Sequence, residues 1–261
     1  MKNPQQTSIL LRTLIFGFSA ATALSLAACG GGGGGNSSET SQTSPNQTYL
    51  DSTQIQGRWV SPVGINPSKI ANVVPVDANN ADAWVLSLNG NSAVGLNKLR
   101  INRDYSISGK YYDLTQANAV AQSVSGAAVT NLGSTPKSLA FNGLASGAMT
   151  LNPSTSAADA GNQADAVGTW STTAGSGTIL ISWTVATDGS LSGASSSGCL
   201  YSGKLVAQPS AQAFNAQVIE SCQGISTALG GIATVSSDKQ ALKFLATTAD
   251  ESRSVVMLLA K

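Results

Sequence analysis

From Tyr49 onward the apolar positions either alternate with polar ones or gather in short β-branched runs, cut at brief intervals by Gly, Asn, Asp and Ser. No stretch sustains the 3.6-residue period of an amphipathic helix, so the pattern predicts an all-β, mostly antiparallel fold of sandwich or small-barrel type. The first strand is expected over 55–60, ended by Pro62, Gly64 and Pro67, and the next over 84–88. Asn89-Gly90-Asn91 closes that second run as a candidate type I′ hairpin, since Asn and Gly tolerate positive φ. Strands are expected at 98–102 and 105–114, with Arg103-Asp104 between them, and at 139–142 and 147–151. The Ala-rich stretch 117–129 fits a short helix or a strand. Residues 153–166 carry no strong pattern and read as a linker.

The pattern then starts again. Strands are expected at 167–170, 178–187, 190–193, 199–206, 214–222, 230–236, 241–247 and 254–259, a succession of hairpins with Asp188-Gly189 and Ser237-Asp238-Lys239 among the turns. Three markers recur in the same order in the two parts. Gly57-Arg58-Trp59 matches Gly168-Thr169-Trp170, the run Asp104 to Gly109 matches Asp188 to Gly193 as Asp-x-Ser-[Ile/Leu]-Ser-Gly, and Ala140-Phe141-Asn142 matches Ala213-Phe214-Asn215. Two related β-halves are therefore expected, 49–152 and 167–261. A Gly-x-Trp on a first strand also resembles the entry to lipocalin-like barrels, which implies that the tryptophan closes a barrel base.

Composition narrows the chemistry. The chain has no histidine, which removes Ser-His-Asp and Cys-His nucleophile systems and His-ligated zinc or haem. Charged residues make up only 10% and form no basic stripe, so nucleic acid is not an expected partner. No cofactor is expected. Apart from Cys29 the cysteines are Cys199 and Cys222, an isolated pair without the Cys-x-x-Cys spacing of redox sites. One structural disulfide is expected, stabilising the fold by roughly 3 kcal/mol on the chain-entropy model.

The N-terminus sets location. Lys2 and Arg12 precede an apolar run, 14–28, that is too short and too diluted by small residues to span a bilayer, as a signal peptide over 1–28 would be. Removing it takes two of the 14 basic residues against 13 acidic ones, leaving a net charge of −1. Leu26-Ala27-Ala28-Cys29 resembles the lipobox of bacterial lipoproteins at all four positions. The resemblance implies a diacylglycerol thioether on Cys29, cleavage before it, acylation of the new amino group and, with Gly30 rather than Asp next, sorting to the outer membrane. Gly30 to Gly35 and the polar residues after them, to about residue 48, read as a flexible tether reaching roughly 20–25 Å on average. The second half, with Asp-Gly-x-x-Ser-Gly, then Gly198-Cys199-Leu200-Tyr201-Ser202-Gly203 and a returning Cys222, also resembles poorly characterised proteobacterial outer-membrane lipoproteins that are rich in β-structure. That resemblance carries no catalytic residues.

Each remaining candidate has a plainer structural reading. Asp188-Gly189-Ser190 has one carboxylate where calcium loops use several, so a hairpin turn is expected. Asp104 and Asp113 would lie roughly 30 Å apart on one extended strand, too far for a carboxylate pair. Trp59, Trp84, Trp170 and Trp183, with Tyr105, Tyr111, Tyr112 and Tyr201, suit a sugar- or lipid-binding cleft but are mostly expected in the core. Ser195-Ser196-Ser197 has no base near it in sequence. The expectation is a non-enzymatic, membrane-anchored protein with a binding or surface-display role, no catalytic or metal-binding residue, and a ligand site that the sequence leaves unplaced. The alternative is an envelope assembly factor docking on another outer-membrane protein; the partners left open are such a protein or a small apolar or sugar ligand.

Overall fold

The computed structural model describes residues 49–261 apart from 117–118, 136, 145, 155–160 and 175–176. The expected signal segment, Cys29, the tether and part of the 153–166 stretch lie outside the described residues. Among the described residues sixteen antiparallel strands form two closed eight-stranded barrels. The first comprises β1 (Gly57–Val60), β2 (Ser68–Asp77), β3 (Asn80–Asn89), β4 (Ser92–Ile101), β5 (Ser106–Asp113), β6 (Gln122–Asn131), β7 (Ser138–Asn142) and β8 (Met149–Pro153). The second comprises β9 (Gly168–Ala174), β10 (Ile179–Val185), β11 (Ser190–Ser195), β12 (Leu200–Gln208), β13 (Ala213–Cys222), β14 (Ile225–Val235), β15 (Ala241–Thr248) and β16 (Ser254–Ala260). Both are up-and-down meanders. Each closes on its own first strand, β1 against β8 through Trp59↔Pro153 and Val60↔Asn152, and β9 against β16 through Ala260↔Ser171. Closure is brief, over two residue pairs in the first barrel and one in the second, and shortens the edges open to another strand.

Each barrel is entered the same way. A single helical turn, α1 (Ser52–Ile55) or α2 (Gln163–Ala166), is capped by Asp51 or Asn162, whose side chain accepts the N–H two residues on. The chain then passes through Gly57 or Gly168, both at positive φ, into the strand that carries Trp59 or Trp170. The indole N–H of each tryptophan donates to the carbonyl four residues earlier, Ile55 or Ala166, at 2.7 Å. A buried N–H is thereby satisfied while the ring fills the barrel end. The strand expected from residue 55 therefore begins two residues later, because Asp51 caps a turn first.

Side chains fill both barrel interiors. The first packs Trp59, Ala71, Val73, Ala83, Val85, Leu99, Phe141 and Leu151 among others, with Leu50 and Ile55 at one end. The second is built on Trp170, Trp183, Tyr201, Phe214 and Phe244 with aliphatic neighbours. A disulfide joins Cys199 to Cys222, just before β12 and at the end of β13, with Cα atoms 4.3 Å apart.

Several local expectations change. The hairpin after β3 pairs Asn89 with Ser92, so its two-residue loop is Gly90-Asn91, and only Gly90 has positive φ. That is a type II′ turn, with glycine at the first central position, rather than type I′. The ambiguous 117–129 stretch supplies β6, and α2 falls within the span read as linker. The first marker pair opens both barrels. The second and third pairs fall on β5 and β7 in one barrel but on β11 and β13 in the other, one hairpin out of step when counted from the tryptophan strand. The displaced three-strand segments differ in register by two residues on the middle strand: Ser106 and Phe141 face Ala127 and Ala128, whereas Ser190 and Phe214 face Lys204 and Ala207.

Candidate functional site

Strand β3 is buried on both faces from Ala83 to Leu88, so its alternation cannot come from one core alone. Ala83 and Val85 point into the first barrel, while Trp84, Leu86 and Leu88 join Leu96 and Tyr112 against Ile232 and Leu245 of the second barrel. Two polar links tie the same contact. The Tyr112 hydroxyl donates to the Glu251 carbonyl at 2.7 Å, and Lys98 Nζ lies 2.5 Å from Glu251 Oε1. Burial, with the Glu251 and Asp250 carboxylates next, pushes the Tyr112 phenol up to about 12.

Beside this contact the barrels leave a groove of about 760 Å³, within the range of small-molecule sites. Its floor is the outer face of β12–β15 and its wall is the outer face of β2–β4. Trp84 stands in the wall, 4% exposed, with Lys98 Nζ 5.5 Å from its ring centre. So enclosed, it shapes the wall without presenting an open aromatic face.

The floor is ordered by strand register. Lys204, Gln217, Gly230 and Thr247 lie directly opposite one another in sequence across four strands. They form one row across the sheet, with neighbouring members about 4.8 Å apart. Gly230 has ordinary φ and open space, with nothing within 4 Å of where a Cβ would stand. Thr247 is only 2% exposed, lines the groove, and makes no hydrogen bond through its hydroxyl to any described residue. The Gln217 amide likewise has no partner among the described residues.

Charge in the groove is mostly neutralised in place. Asp82 receives Arg100 Nε at 2.6 Å and Lys98 is held by Glu251. Lys204 makes no ion pair among the described residues, although its charge contributes to holding the nearby Asp188 carboxyl below its ordinary range. Among the described residues Lys204, at one end of the row, is therefore the groove's positive charge outside an ion pair, with the Asp188 carboxylate within its electrostatic reach.

The residues singled out from sequence are not gathered at this site, Trp84 excepted. Asp104 and Asp113 sit at opposite ends of β5, each bound into its own turn, accepting from Ser106 N–H at 3.1 Å and Thr115 N–H at 3.0 Å. The hydroxyls of the same residues first, and these N–H groups second, hold both carboxyls below the ordinary value. Asp188 does the same for Ser190 and forms a hairpin turn. Among the described residues no cluster of three or more Cys, Asp or Glu side chains is placed to hold a metal. Ser195 accepts the Cys199 N–H and contacts Ser197, which ties the serine run into the turn before β12. Trp59, Trp170 and Trp183 are core residues, and Tyr105 and Tyr111 pack against the first core. Tyr201 donates to Glu220 at 3.3 Å, and Glu220 receives Arg253 at 2.8 Å, near the disulfide end of the second barrel.

Lys204, Gln217, Gly230 and Thr247 carry no motif, so only the strand register, with Gly230 facing outward, could have found them. No family model, curated protein or solved structure matches the chain.

Proposed function

We propose that the chain is a non-catalytic binding lipoprotein, held at the outer membrane by acyl chains on Cys29, and that the groove between its barrels is the ligand site. The single observation that carries this reading is the groove beside two filled interiors, floored by a row in which the Thr247 hydroxyl and the Gln217 amide make no hydrogen bond to any described residue. Buried or half-buried polar groups are normally paired, so a nearly buried hydroxyl facing open space suits a ligand's hydrogen bond. Barrel closure favours this reading over strand addition by a partner protein, because it shortens the edges that a partner strand could extend.

The test is a thermal-shift screen of the full chain in detergent against classes of small molecules, repeated on Gly230→Val. That substitution fills the groove floor without touching a core residue. A compound that raises the wild-type melting temperature but not that of Gly230→Val supports the groove. If no compound distinguishes the two proteins, the groove is not a ligand site. The anchor is checked separately by labelled palmitate: incorporation into the wild type and none into Cys29→Ala is the expected result.

A further inference from the structure

We infer that the groove takes an acidic saccharide, a pyranose bearing a carboxylate, seated over Gly230; this rests on the reading of the groove as a ligand site. The inference begins with the gap. On a β-sheet face each outward position normally fills its own space, and Gly230 leaves its space empty between Gln217 and Thr247. Those neighbours stand about 10 Å apart across the gap, two strand spacings, which leaves room for one ring with hydroxyls at its equator. The groups facing the gap are an amide that both donates and accepts and a hydroxyl that does the same. Vicinal hydroxyls of a sugar need such dual partners, whereas an apolar ligand would leave the Thr247 hydroxyl unpaired in a nearly buried position.

Charge decides which sugar. With Lys98 and Asp82 each in an ion pair, Lys204, which makes none among the described residues and has Asp188 only within electrostatic reach, is the groove charge placed to meet a ligand, next to Gln217 in the row. A carboxylate on the ring places its negative charge at that end, one strand spacing beyond the amide. A peptide fits less well: the floor strands β12 to β15 are each paired on both sides, so the row reads a ligand through side chains alone.

The experiment measures binding of trigalacturonate, maltotriose and triglutamate to the full chain by calorimetry. Trigalacturonate is expected to bind saturably, maltotriose at least tenfold more weakly, and triglutamate not measurably. Lys204→Gln should reduce trigalacturonate binding to the maltotriose level, and Gly230→Val should weaken trigalacturonate binding at least tenfold. Gln217→Ala, on an exposed side chain, should weaken both sugars and so guards against a folding defect in the glycine variant. Triglutamate binding as tightly as trigalacturonate would overturn the inference, because charge alone would then suffice. Absence of trigalacturonate binding would overturn it as well. If another compound still depends on Gly230, only the saccharide assignment falls; if none does, the groove falls with it.

Discussion

The two barrels share strand number, meander order and a tryptophan tied to a carbonyl four residues back, yet they place their largest side chains differently on the strands that meet. In the first, β2 and β3 turn Ala71, Ala81 and Ala83 inward and send Trp84, Leu86 and Leu88 outward against the second barrel. In the second, the large rings stay inside: Trp183 meets Phe244 edge to face at 5.1 Å and Tyr201 at 5.6 Å. That packing needs a glycine, since a Cβ at Gly193 would stand 2.5 Å from Trp183 Cδ1. One topology thus accepts two packings as long as the interior is filled. The outward bulk of the first barrel makes the contact beside which the groove lies.

The largest expected effect comes from removing the shared element. Trp59→Ala and Trp170→Ala should each destabilise by about 3–5 kcal/mol, as for large buried aromatics. Hydrogen exchange should show amide protection lost first in the mutated barrel. Equal loss in both barrels would show that they unfold as one unit and that the different interiors do not give separate stabilities.

The disulfide sharpens the contrast, since only the second barrel has one among the described residues. Replacing both Cys199 and Cys222 by Ser should lower stability by roughly 3 kcal/mol. Urea unfolding followed by exchange should place that loss in β9–β16. A loss centred on β1–β8 would contradict it.

How far this contrast was legible depends on the residue. The strands of the second barrel were readable because its large residues alternate with polar ones, as in Phe214 to Cys222. Strand β2 was missed because Pro75 and Asn72 interrupt its pattern. Pro75 lies at a register irregularity, and Asn72 faces outward opposite Trp84. Prolines in strands are tolerated at such places. The Asp-x-Ser marker was legible as a turn but misleading as a counter of strands. Asp104, Asp188, Asp238 and Asp250 all precede a residue at positive φ and accept the N–H two residues on. The groove was illegible because it joins β2–β4 to β12–β15, and its key position, Gly230, has no side chain to signal.

The barrel contact should be weaker than either interior. Tyr112→Phe keeps the ring in the apolar cluster and removes the hydroxyl that donates to the Glu251 carbonyl. A loss of about 1 kcal/mol in urea unfolding is expected, the usual net value of one hydrogen bond. A loss comparable to the tryptophan variants would mean that the contact, rather than the interiors, holds the barrels folded.

The smallest expected effect compares two phenols at alkaline pH. Burial is the first cause holding both Tyr112 and Tyr201 up to about 12, and a carboxylate is the second, Glu251 for one and Glu220 for the other. The folded-state value is thus raised above the ordinary 10.0, so each phenol's contribution to stability is complete below pH 10 and is lost as pH rises toward 12. Tyrosinate absorbance should show late-ionising groups, with Tyr112→Phe and Tyr201→Phe each removing one of the two latest, while Tyr111, which burial and then Asp113 also hold up, remains in both variants. Glu220→Gln should bring the Tyr201 ionisation to lower pH and leave Tyr112 unmoved, because the two phenols answer to different carboxylates. Burial stays in place in that variant, so Tyr201 should still ionise later than an ordinary tyrosine. Should Glu220→Gln leave Tyr201 unmoved, the carboxylate beside it has no electrostatic part in its late ionisation and burial alone holds it up.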